Sequence, residues 1–277
     1  MSATDAGPAF STATPDWLAL RAAADDAARS GEFARDVAAR LGPGPHLVHD
    51  LGSGTGAMMR WLAPLLPGPQ RWVLHDGDAT ILGHRMPGAV ADADGRRVAV
   101  ATSVEPLVQL QPSALRGAAL VTASALLDVL TLDEAAAIVA ACGMTRAAAF
   151  FSLTVTGAAT LDPVDPLDGV FRAAFNDHQR RLAARRRLLG PDAVIVVARL
   201  FAVLRYRVRT APTPWLLGRQ SDGLLAAWLD GWVGAAVEQV PELHRDADGY
   251  LLRRRTQLAA GDLRVAVEHQ DLIAWPV

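Results

Sequence analysis

The sequence predicts an α/β fold in which a doubly wound, mostly parallel seven-stranded sheet carries helices on both faces. Short apolar runs alternate with helical patterns from residue 46 onward, as parallel strands and their crossover helices do. One apolar run passes directly into a glycine-rich turn at residues 52–56, where a helical pattern begins. The chain has 277 residues, 51% of them hydrophobic, which suits a large domain with a buried core.

The elements follow in chain order from these patterns. Residues 1–41 are expected to form an N-terminal helical segment, because Thr14-Pro15-Asp16 is a typical helix start and apolar residues then recur at helical spacing. Gly and Pro alternate at residues 42–45 and end this segment. Strands are predicted at residues 46–51, 71–76, 97–101, 118–123, 147–156, 206–210 and 263–269, and helices at residues 56–66, 80–85, 133–142 and 191–204.

Two connections between predicted strands are too long to be plain turns. The first insertion, residues 157–190, contains a predicted helix at residues 167–188. The second insertion, residues 211–262, carries three tryptophans on predicted amphipathic helices. Ligands of such sheets bind beyond the carboxyl ends of the strands, so both insertions are expected to cap that end. The Rossmann-like core would then comprise residues 42–156, completed within residues 191–277.

Composition excludes several classes of enzyme. The sequence contains no lysine. Phosphate-loop ATPases and GTPases, protein kinases and pyridoxal-phosphate enzymes each depend on a specific lysine, so these classes are disfavoured together. The seven histidines are scattered without a metal-ligand spacing, and no metal site is predicted.

Charge and hydropathy also limit the expected partners and location. The net charge of −2 argues against nucleic acid, and the arginine run at residues 180–187 is interpreted as a solvated helix face. No apolar stretch reaches the length of a membrane span, and residues 1–15 lack the pattern of a signal peptide. A cytoplasmic location is therefore expected, and the single Cys142 agrees with it. The sequence leaves open whether the protein forms a homodimer.

The residues most informative about chemistry follow the first predicted strand, where residues 50–56 read D-L-G-S-G-T-G. Glycines permit positive φ and let the backbone approach a ligand closely. The helix that follows presents free N–H groups to a polar ligand. A dinucleotide-binding turn normally reads G-x-G-x-x-G, whereas here the third glycine comes one position early and Ala57 stands at the dinucleotide position.

The second predicted strand ends in Asp76-Gly77-Asp78. Asp76 lies about twenty residues beyond the glycine loop, where doubly wound folds place a carboxylate that accepts hydrogen bonds from a ribose diol. Asp78 is positioned to begin the next helix as its N-cap. Both aspartates could also be capping residues alone.

Together these two segments resemble class I S-adenosylmethionine-dependent methyltransferases. That family combines an acidic residue and G-x-G-x-G in its motif I with a second strand that often ends V-D-x-S-x-x-M-L. The resemblance covers about residues 41–151 and implies a Rossmann-like fold, S-adenosylmethionine as cofactor and methyl transfer. The glycine loop would pack against the methionine part of the cofactor. The resemblance assigns cofactor contacts to Asp50, Gly52, Ser53, Gly54, Gly56, Asp76, Gly77 and Asp78.

The resemblance continues more loosely through the next two strands. Thr102-Ser103 stands where the family often has Gly-Asp, so a hydroxyl of Ser103 would replace the carboxylate that meets adenine. Residues 121–130 are similar to the family segment S-N-x-x-L-H-H-L, which implies that Ser124 and Asp128 face the cofactor or the acceptor. Asp128 also suits the first turn of a helix, where the macrodipole favours a carboxylate.

A small molecule is the expected methyl acceptor, because the Asp-Pro-Pro-Tyr type segment of adenine, cytosine and glutamine-amide methyltransferases is absent. His178 shares one predicted helix face with Phe171 and Phe175, and its ordinary pKa lies near working pH. It is the candidate proton acceptor together with Asp128, and both are expected to line one pocket with Ser124. His178 could equally be a hydrogen-bonded structural residue. Trp215, Trp228 and Trp232 either wall a pocket for a flat ligand or anchor the cap.

Two other functions stay open at this point. A non-catalytic S-adenosylmethionine or nucleotide sensor would keep the glycine loop and Asp76 but would need no acceptor base. An NAD-type dehydrogenase is disfavoured by the early third glycine and by the lack of a catalytic Tyr-x-x-x-Lys.

Overall fold

The computed structural model describes residues 13–84, 88–107, 111–183 and 186–277. The strands are β1 (His46–Leu51), β2 (Gln70–Asp76), β3 (Ala99–Val104), β4 (Leu120–Ser124), β5 (Ala148–Asp162), β6 (Leu182–Ala183), β7 (Arg186–Arg187), β8 (Tyr206–Pro212), β9 (Trp215–Leu217) and β10 (Arg264–Pro276). The α-helices are α1 (Pro15–Ala28), α2 (Gly31–Leu41), α3 (Ala57–Leu62), α4 (Ala79–Gly83), α5 (Leu132–Thr145), α6 (Asp168–Gln179), α7 (Ala193–Val203), α8 (Asp222–Gln239) and α9 (His244–Ala260).

The main sheet has the order β3-β2-β1-β4-β5-β10-β8. The first five of these strands run parallel, and β10 is antiparallel to both of its neighbours. The short strand β9 adds an eighth member by pairing with β10. The predicted doubly wound α/β fold is confirmed, and within the main sheet β9 is the strand that the sequence patterns did not predict.

Strands β5 and β10 are longer than predicted and form an arm beyond the rest of the sheet. β4 pairs with β5 only as far as Ser124 and Ser152. The antiparallel pairing of β5 with β10 continues to Asp162 and Arg264, with register shifts along the way. We call the segments 153–162 and 264–270 the arm. Because β5 runs parallel to β4, the arm rises from the carboxyl end of the parallel strands.

The arginine-rich segment does not continue the helix of the first insertion. The predicted helix at residues 167–188 is wrong in its second half: α6 ends at Gln179, and β6 and β7 then form an antiparallel pair. Gly190, with φ 52°, packs closely against the end of α6, because an added Cβ there would lie 3.0 Å from the carbonyl oxygen of Gln179. The described arginines of the run therefore lie on a hairpin and its flanks instead of a solvated helix face.

The second insertion also differs from its prediction at one tryptophan. Trp215 lies on β9, where it pairs in register with Val267 of β10, and not on a helix. Trp228 and Trp232 lie on α8 as predicted. Cross-strand pairing with the arm, which the local sequence does not encode, explains the difference.

The described residues contain three buried apolar clusters. One lies between the sheet and helices α5 and α7, and a second lies on the opposite face against α2 and α3. The third cluster joins the arm to α6, α8, α9 and β9, so the two insertions have a core of their own. No helix in the described ranges is long and apolar enough to cross a membrane.

Candidate active site

The glycine loop leaves β1 at the carboxyl end of the sheet and leads directly into α3. Gly52, Gly54 and Gly56 have φ angles of 59°, 54° and 81°, in the left-handed region that glycine adopts without strain. A Cβ on Gly52 would lie 2.8 Å from Leu126 Cδ1, and one on Gly54 would lie 3.1 Å from Leu18 Cδ1. Backbone angle and available space therefore both require glycine at these two positions.

Asp76 at the end of β2 holds this loop in place. Its Oδ2 accepts a hydrogen bond from the Gly54 N–H at 2.9 Å, and its Oδ1 accepts one from the Asp78 N–H at 3.0 Å. Asp78 is the N-cap of α4, as the sequence predicts, because its Oδ1 accepts from the N–H of Thr80 at 2.8 Å. Each oxygen of Asp76 keeps a second lone pair for another donor.

A pocket of about 510 Å³, here called the cofactor pocket, opens beside the glycine loop. Gly56, Asp78 and Ser103 are not among the described residues that line it. Seven residues that the sequence assigned to the cofactor do line it: Asp50, Gly52, Ser53, Gly54, Asp76, Gly77 and Ser124.

Two buried oxygen atoms of residues at the cofactor pocket have no hydrogen-bond partner within the described part of the chain. Asp50 is fully buried, and its Oδ1 accepts from the Thr122 hydroxyl at 2.7 Å, while its Oδ2 has no hydrogen bond within the described residues. Burial away from water raises the pKa of the Asp50 carboxyl to about 7. The Ser53 hydroxyl is likewise buried and unpaired. Such groups normally have a partner, so both are available to a ligand.

Helix α1 supplies charged groups that the sequence analysis missed. The buried guanidinium of Arg29 bonds to Asp26 and donates through Nη2 to the Ser124 hydroxyl at 3.1 Å. Arg21 pairs with Asp25 at 2.9 Å. Arg21, Asp25 and Arg29 follow one another at four-residue spacing and all line the cofactor pocket. That spacing could have suggested ion pairs along one helix face, but nothing local indicates a pocket.

A second hollow, here called the aromatic cavity, adjoins the cofactor pocket. It measures about 240 Å³ and shares Arg21, Ala125 and Val129 with that pocket. Helix α1, both insertions and the arm contribute its walls. The aromatic side chains that line it are Trp17, Phe175, Trp215, Trp228 and Trp232. Segments of both long insertions therefore reach the carboxyl end of the sheet.

Three of the residues that line the aromatic cavity, Asp128, Gln179 and His269, carry a hydrogen-bond acceptor that is free of a protein partner in the described chain or is left free by a neighbouring bond. Asp128 Oδ1 and Gln179 Oε1 are buried and have no partner in the described chain. Burial raises the pKa of the Asp128 carboxyl. His269 donates from Nδ1–H to the Val267 carbonyl at 2.9 Å, which leaves Nε2 as an acceptor, and burial lowers the pKa of this ring to about 3. No sequence motif marks His269, because it lies on the arm, far in sequence from the glycine loop and from Asp76.

His178 lines an outer hollow of about 540 Å³ that shares Asp128, Trp228 and Trp232 with the aromatic cavity. Both of its ring nitrogens are bonded: Nε2 to Glu238 Oε2 at 3.1 Å and Nδ1 to Arg181 Nη1 at 2.9 Å. Because arginine only donates, Nδ1 accepts and Nε2–H donates. Burial, with Arg181 nearby, lowers the pKa of His178.

The structure thus brings His178 and Asp128 to one hollow, as expected. Ser124 lies elsewhere: the expectation that it lines the same hollow is wrong, because Ser124 lines the cofactor pocket next to Arg29.

Two residues that line the aromatic cavity have strained backbone conformations. Ala125, which follows β4, and the fully buried Leu153 of β5 have φ angles of 51° and 57°. Such conformations cost about 1–3 kcal/mol each for residues other than glycine and cluster at functional sites. The Leu153 N–H donates to Asp271 Oδ1 at 2.8 Å, and that oxygen also accepts from the Thr213 hydroxyl. The buried Asp271 carboxylate therefore holds the strained Leu153 backbone in place beside the cavity.

Comparison with known proteins gives a likeness in structure alone. No family model and no curated protein matches the sequence. The structure is similar to that of a cyclopropane synthase from Mycobacterium tuberculosis, with 14% identity over 88% of this chain and 83% of that one at a TM-score of 0.46.

Two further solved structures are similar. The first is an O-methyltransferase family protein from Burkholderia thailandensis, with 18% identity, 71% and 54% coverage and a TM-score of 0.43. The second is a precorrin-6y C5,15-methyltransferase from Geobacter metallireducens, with 10% identity, 89% and 87% coverage and a TM-score of 0.44.

Proposed function

We propose that the protein is an S-adenosylmethionine-dependent methyltransferase that acts on a small-molecule acceptor. The observation that carries this proposal is that a glycine-lined pocket and an aromatic cavity adjoin at one end of the sheet and share lining residues. A transferase needs two such adjoining compartments, one for the donor and one for the acceptor. The cofactor pocket, at about 510 Å³, lies within the usual size of small-molecule sites, about 300–1,000 Å³.

The residues of the cofactor pocket fit the chemical groups of S-adenosylmethionine. The unpaired Asp50 Oδ2 and Ser53 hydroxyl suit an ammonium donor, and a positive group there would stabilise the ionised form of Asp50. Asp76 has free lone pairs for the hydroxyls of a ribose. An apolar wall suits the flat face of adenine and consists of Ile81, Pro106 and Leu107.

S-adenosylmethionine, when bound, supplies a methyl group on a positively charged sulfur. The protein has to align an acceptor with that methyl group and exclude water. We assign alignment to the shared boundary at Ala125 and Val129, and water exclusion to the tryptophans of the cavity. We assign the proton acceptor to Asp128 in preference to His178, since Asp128 has an unpaired oxygen and both His178 nitrogens are bonded.

The same geometry supports a division of labour along the chain. We propose that residues 42–156 and the outer parts of 191–277 form the cofactor-binding core. The insertions at 157–190 and 211–262 would then select the acceptor. A cavity of only about 240 Å³ favours a small molecule over nucleic acid.

Isothermal titration calorimetry with S-adenosylmethionine and with NADH tests the cofactor. We expect S-adenosylmethionine to bind and NADH not to bind. Tighter binding of NADH would overturn the proposal in favour of a dehydrogenase. Release of S-adenosylhomocysteine in the presence of a metabolite panel then tests catalysis, and tight binding without turnover across the panel would favour a sensor.

A further inference from the structure

We infer that the aromatic cavity selects an amine, so that the methyl group is transferred to nitrogen. This inference rests on the proposed function, because it names the acceptor class of that same site. It depends on three features of the cavity, which are its unpaired oxygens, its charge and its aromatic walls.

The unpaired oxygens favour a ligand that donates hydrogen bonds. Among the residues that line the cavity, Asp128 and Gln179 each carry a buried oxygen, Oδ1 and Oε1, that lacks a partner in the described residues, and both oxygens accept. Buried polar atoms without partners are rare in folded proteins and indicate a missing ligand or water. The neutral His269 adds a third acceptor at Nε2. An ammonium group, which only donates, is complementary to such a set.

The charges around the cavity also favour a cation. Asp128 and Glu268 both line it, and its arginine, Arg21, is already paired with Asp25 at 2.9 Å. An anionic ligand would meet two carboxylates, whereas an ammonium ion would compensate them.

The tryptophan walls can hold a positive group against their faces. The rings of Trp228 and Trp232 stack with centroids 5.1 Å apart, and both residues line the aromatic cavity together with Asp128. The guanidinium of Arg21 already lies 4.8 Å from the ring centroid of Trp215. Cations are attracted to tryptophan faces within about 6 Å, more strongly where water is excluded.

The proposed step balances without a further reactant. The bound ammonium first gives a proton to the Asp128 carboxylate, which exposes the nitrogen lone pair. That lone pair forms the new N–C bond with the methyl carbon while the S–C bond breaks. The electron pair of the broken bond stays on sulfur and yields the neutral thioether S-adenosylhomocysteine. The raised pKa of the desolvated Asp128 carboxyl suits it to accept a proton from an amine.

Fragment binding to the full-length chain tests the inference. Phenethylamine and 2-phenylethanol share a ring and a chain and differ in the ammonium group. Binding is followed by fluorescence of the cavity tryptophans and by calorimetry, with and without S-adenosylhomocysteine. We expect phenethylamine to bind at least about tenfold more tightly than 2-phenylethanol, the size of effect expected for a charge-assisted contact in a desolvated site. Equal affinities, or a preference for the alcohol, would overturn the inference.

Two isosteric substitutions identify the group responsible. Asp128→Asn removes the charge but keeps the size of the side chain, and it should reduce phenethylamine affinity at least about fivefold while leaving 2-phenylethanol binding unchanged. Asp246→Asn, on the exposed face of α9, is the matched control and should change neither affinity. If Asp128→Asn binds both fragments like the wild type, Asp128 does not recognise an amine and the inference fails.

The proposed function can be judged separately from the same samples. Binding of S-adenosylmethionine without a preference for phenethylamine would leave the methyltransferase proposal intact and reject the amine. Failure of S-adenosylmethionine to bind would reject the methyltransferase itself, whatever the fragments do.

Discussion

The cofactor pocket and the aromatic cavity share a boundary, but the chain builds them in different ways. The glycine loop and Asp76 belong to neighbouring parallel strands, and the hydrogen bond that joins them spans 22 residues of sequence. The aromatic cavity is assembled from α1, α6, α8, β9 and the arm. One hydrogen bond beneath it, from Trp215 Nε1 to Asp25, joins residues 190 positions apart.

This difference explains why one compartment leaves a sequence signature and the other does not. A ligand held by one turn and one adjacent strand end fixes residue types at short, regular spacing. A cavity between insertions needs only aromatic side chains from any element that reaches it. The insertions also have their own apolar cluster, so their pocket can change without disturbing the sheet.

Gly54→Val should distinguish the cofactor pocket from the aromatic cavity most clearly, because it should affect the affinity for only one of their two ligands. Gly54 has φ 54°, and a Cβ there would lie 3.1 Å from Leu18 Cδ1. A branched side chain would both strain the loop and enter the cofactor pocket, so we expect S-adenosylmethionine affinity to fall at least about a thousandfold. Phenethylamine binding, measured by tryptophan fluorescence, should change less than about twofold.

Gly117→Val is the matched control for backbone strain. Gly117 has φ 78°, and an added Cβ would meet nothing within 4 Å. This variant should lose stability but keep both ligands. Normal S-adenosylmethionine binding by folded Gly54→Val would contradict the assignment of the loop.

A second large effect should appear in the stability of the ligand-free protein as a function of pH. Burial raises the pKa of Asp50 from 3.8 to about 7. Between these values the unfolded chain loses the proton while the folded protein keeps it, so stability falls as pH rises from about 4 to about 7. Three pKa units correspond to about 4 kcal/mol as an upper estimate.

Asp50→Asn should therefore stabilise the ligand-free protein at pH 8 by about 2–4 kcal/mol, with a gain that shrinks toward pH 5. The amide oxygen can still accept from Thr122, so the fold keeps that hydrogen bond. S-adenosylmethionine should bind about tenfold or more weakly, since its ammonium loses a charged partner. Chemical denaturation at both pH values measures the first effect, and a variant less stable than wild type at pH 8 would refute it.

Asp76→Ala should weaken S-adenosylmethionine binding by about ten- to a hundredfold, because hydrogen bonds to a charged group contribute about 1.5–3 kcal/mol. In Asp76→Asn the side chain can accept from only one of the two N–H groups that Asp76 holds. The affinity of this variant for S-adenosylmethionine should therefore lie between those of Asp76→Ala and the wild type. Calorimetry on both variants measures the difference. Unchanged affinity in the folded alanine variant would remove Asp76 from the ribose site and leave it as a loop anchor.

The parts of the molecule that could be predicted from sequence are those controlled by local patterns. Period-two and period-3.6 hydrophobicity located the core strands and helices, and the N-cap role of Asp78 followed from its position before α4. Seven of the ten cofactor-assigned residues line one pocket, because parallel strands bring their carboxyl ends together.

The remaining features depend on contacts between distant segments. The turn of the chain after Gln179, the strand conformation of Trp215 and the length of the arm are all set by tertiary pairing. Arg29 and His269 reach the two pockets from opposite ends of the chain, and their local sequence resembles that of any amphipathic helix or strand. No pattern within a short window contains that information.

Replacement of His178 should have the smallest effect on catalysis. It tests whether Asp128 or His178 is the proton acceptor. Both ring nitrogens of His178 are bonded, to Glu238 and Arg181, so the ring has no free lone pair that could take a proton from the methyl acceptor. His178→Ala should cost about 1–2 kcal/mol in unfolding free energy, the loss of two modest hydrogen bonds, and change kcat per folded molecule less than about threefold. Glu238→Gln alters the exposed partner of His178, so it should lower the free energy of unfolding by less and leave kcat unchanged.

If His178 is instead the base, its removal should lower kcat by about 10²–10⁴ and abolish the acidic limb of the pH–rate profile. That result would move the chemistry from Asp128 to the outer hollow, because a base there must first exchange one of its two protein partners for the acceptor.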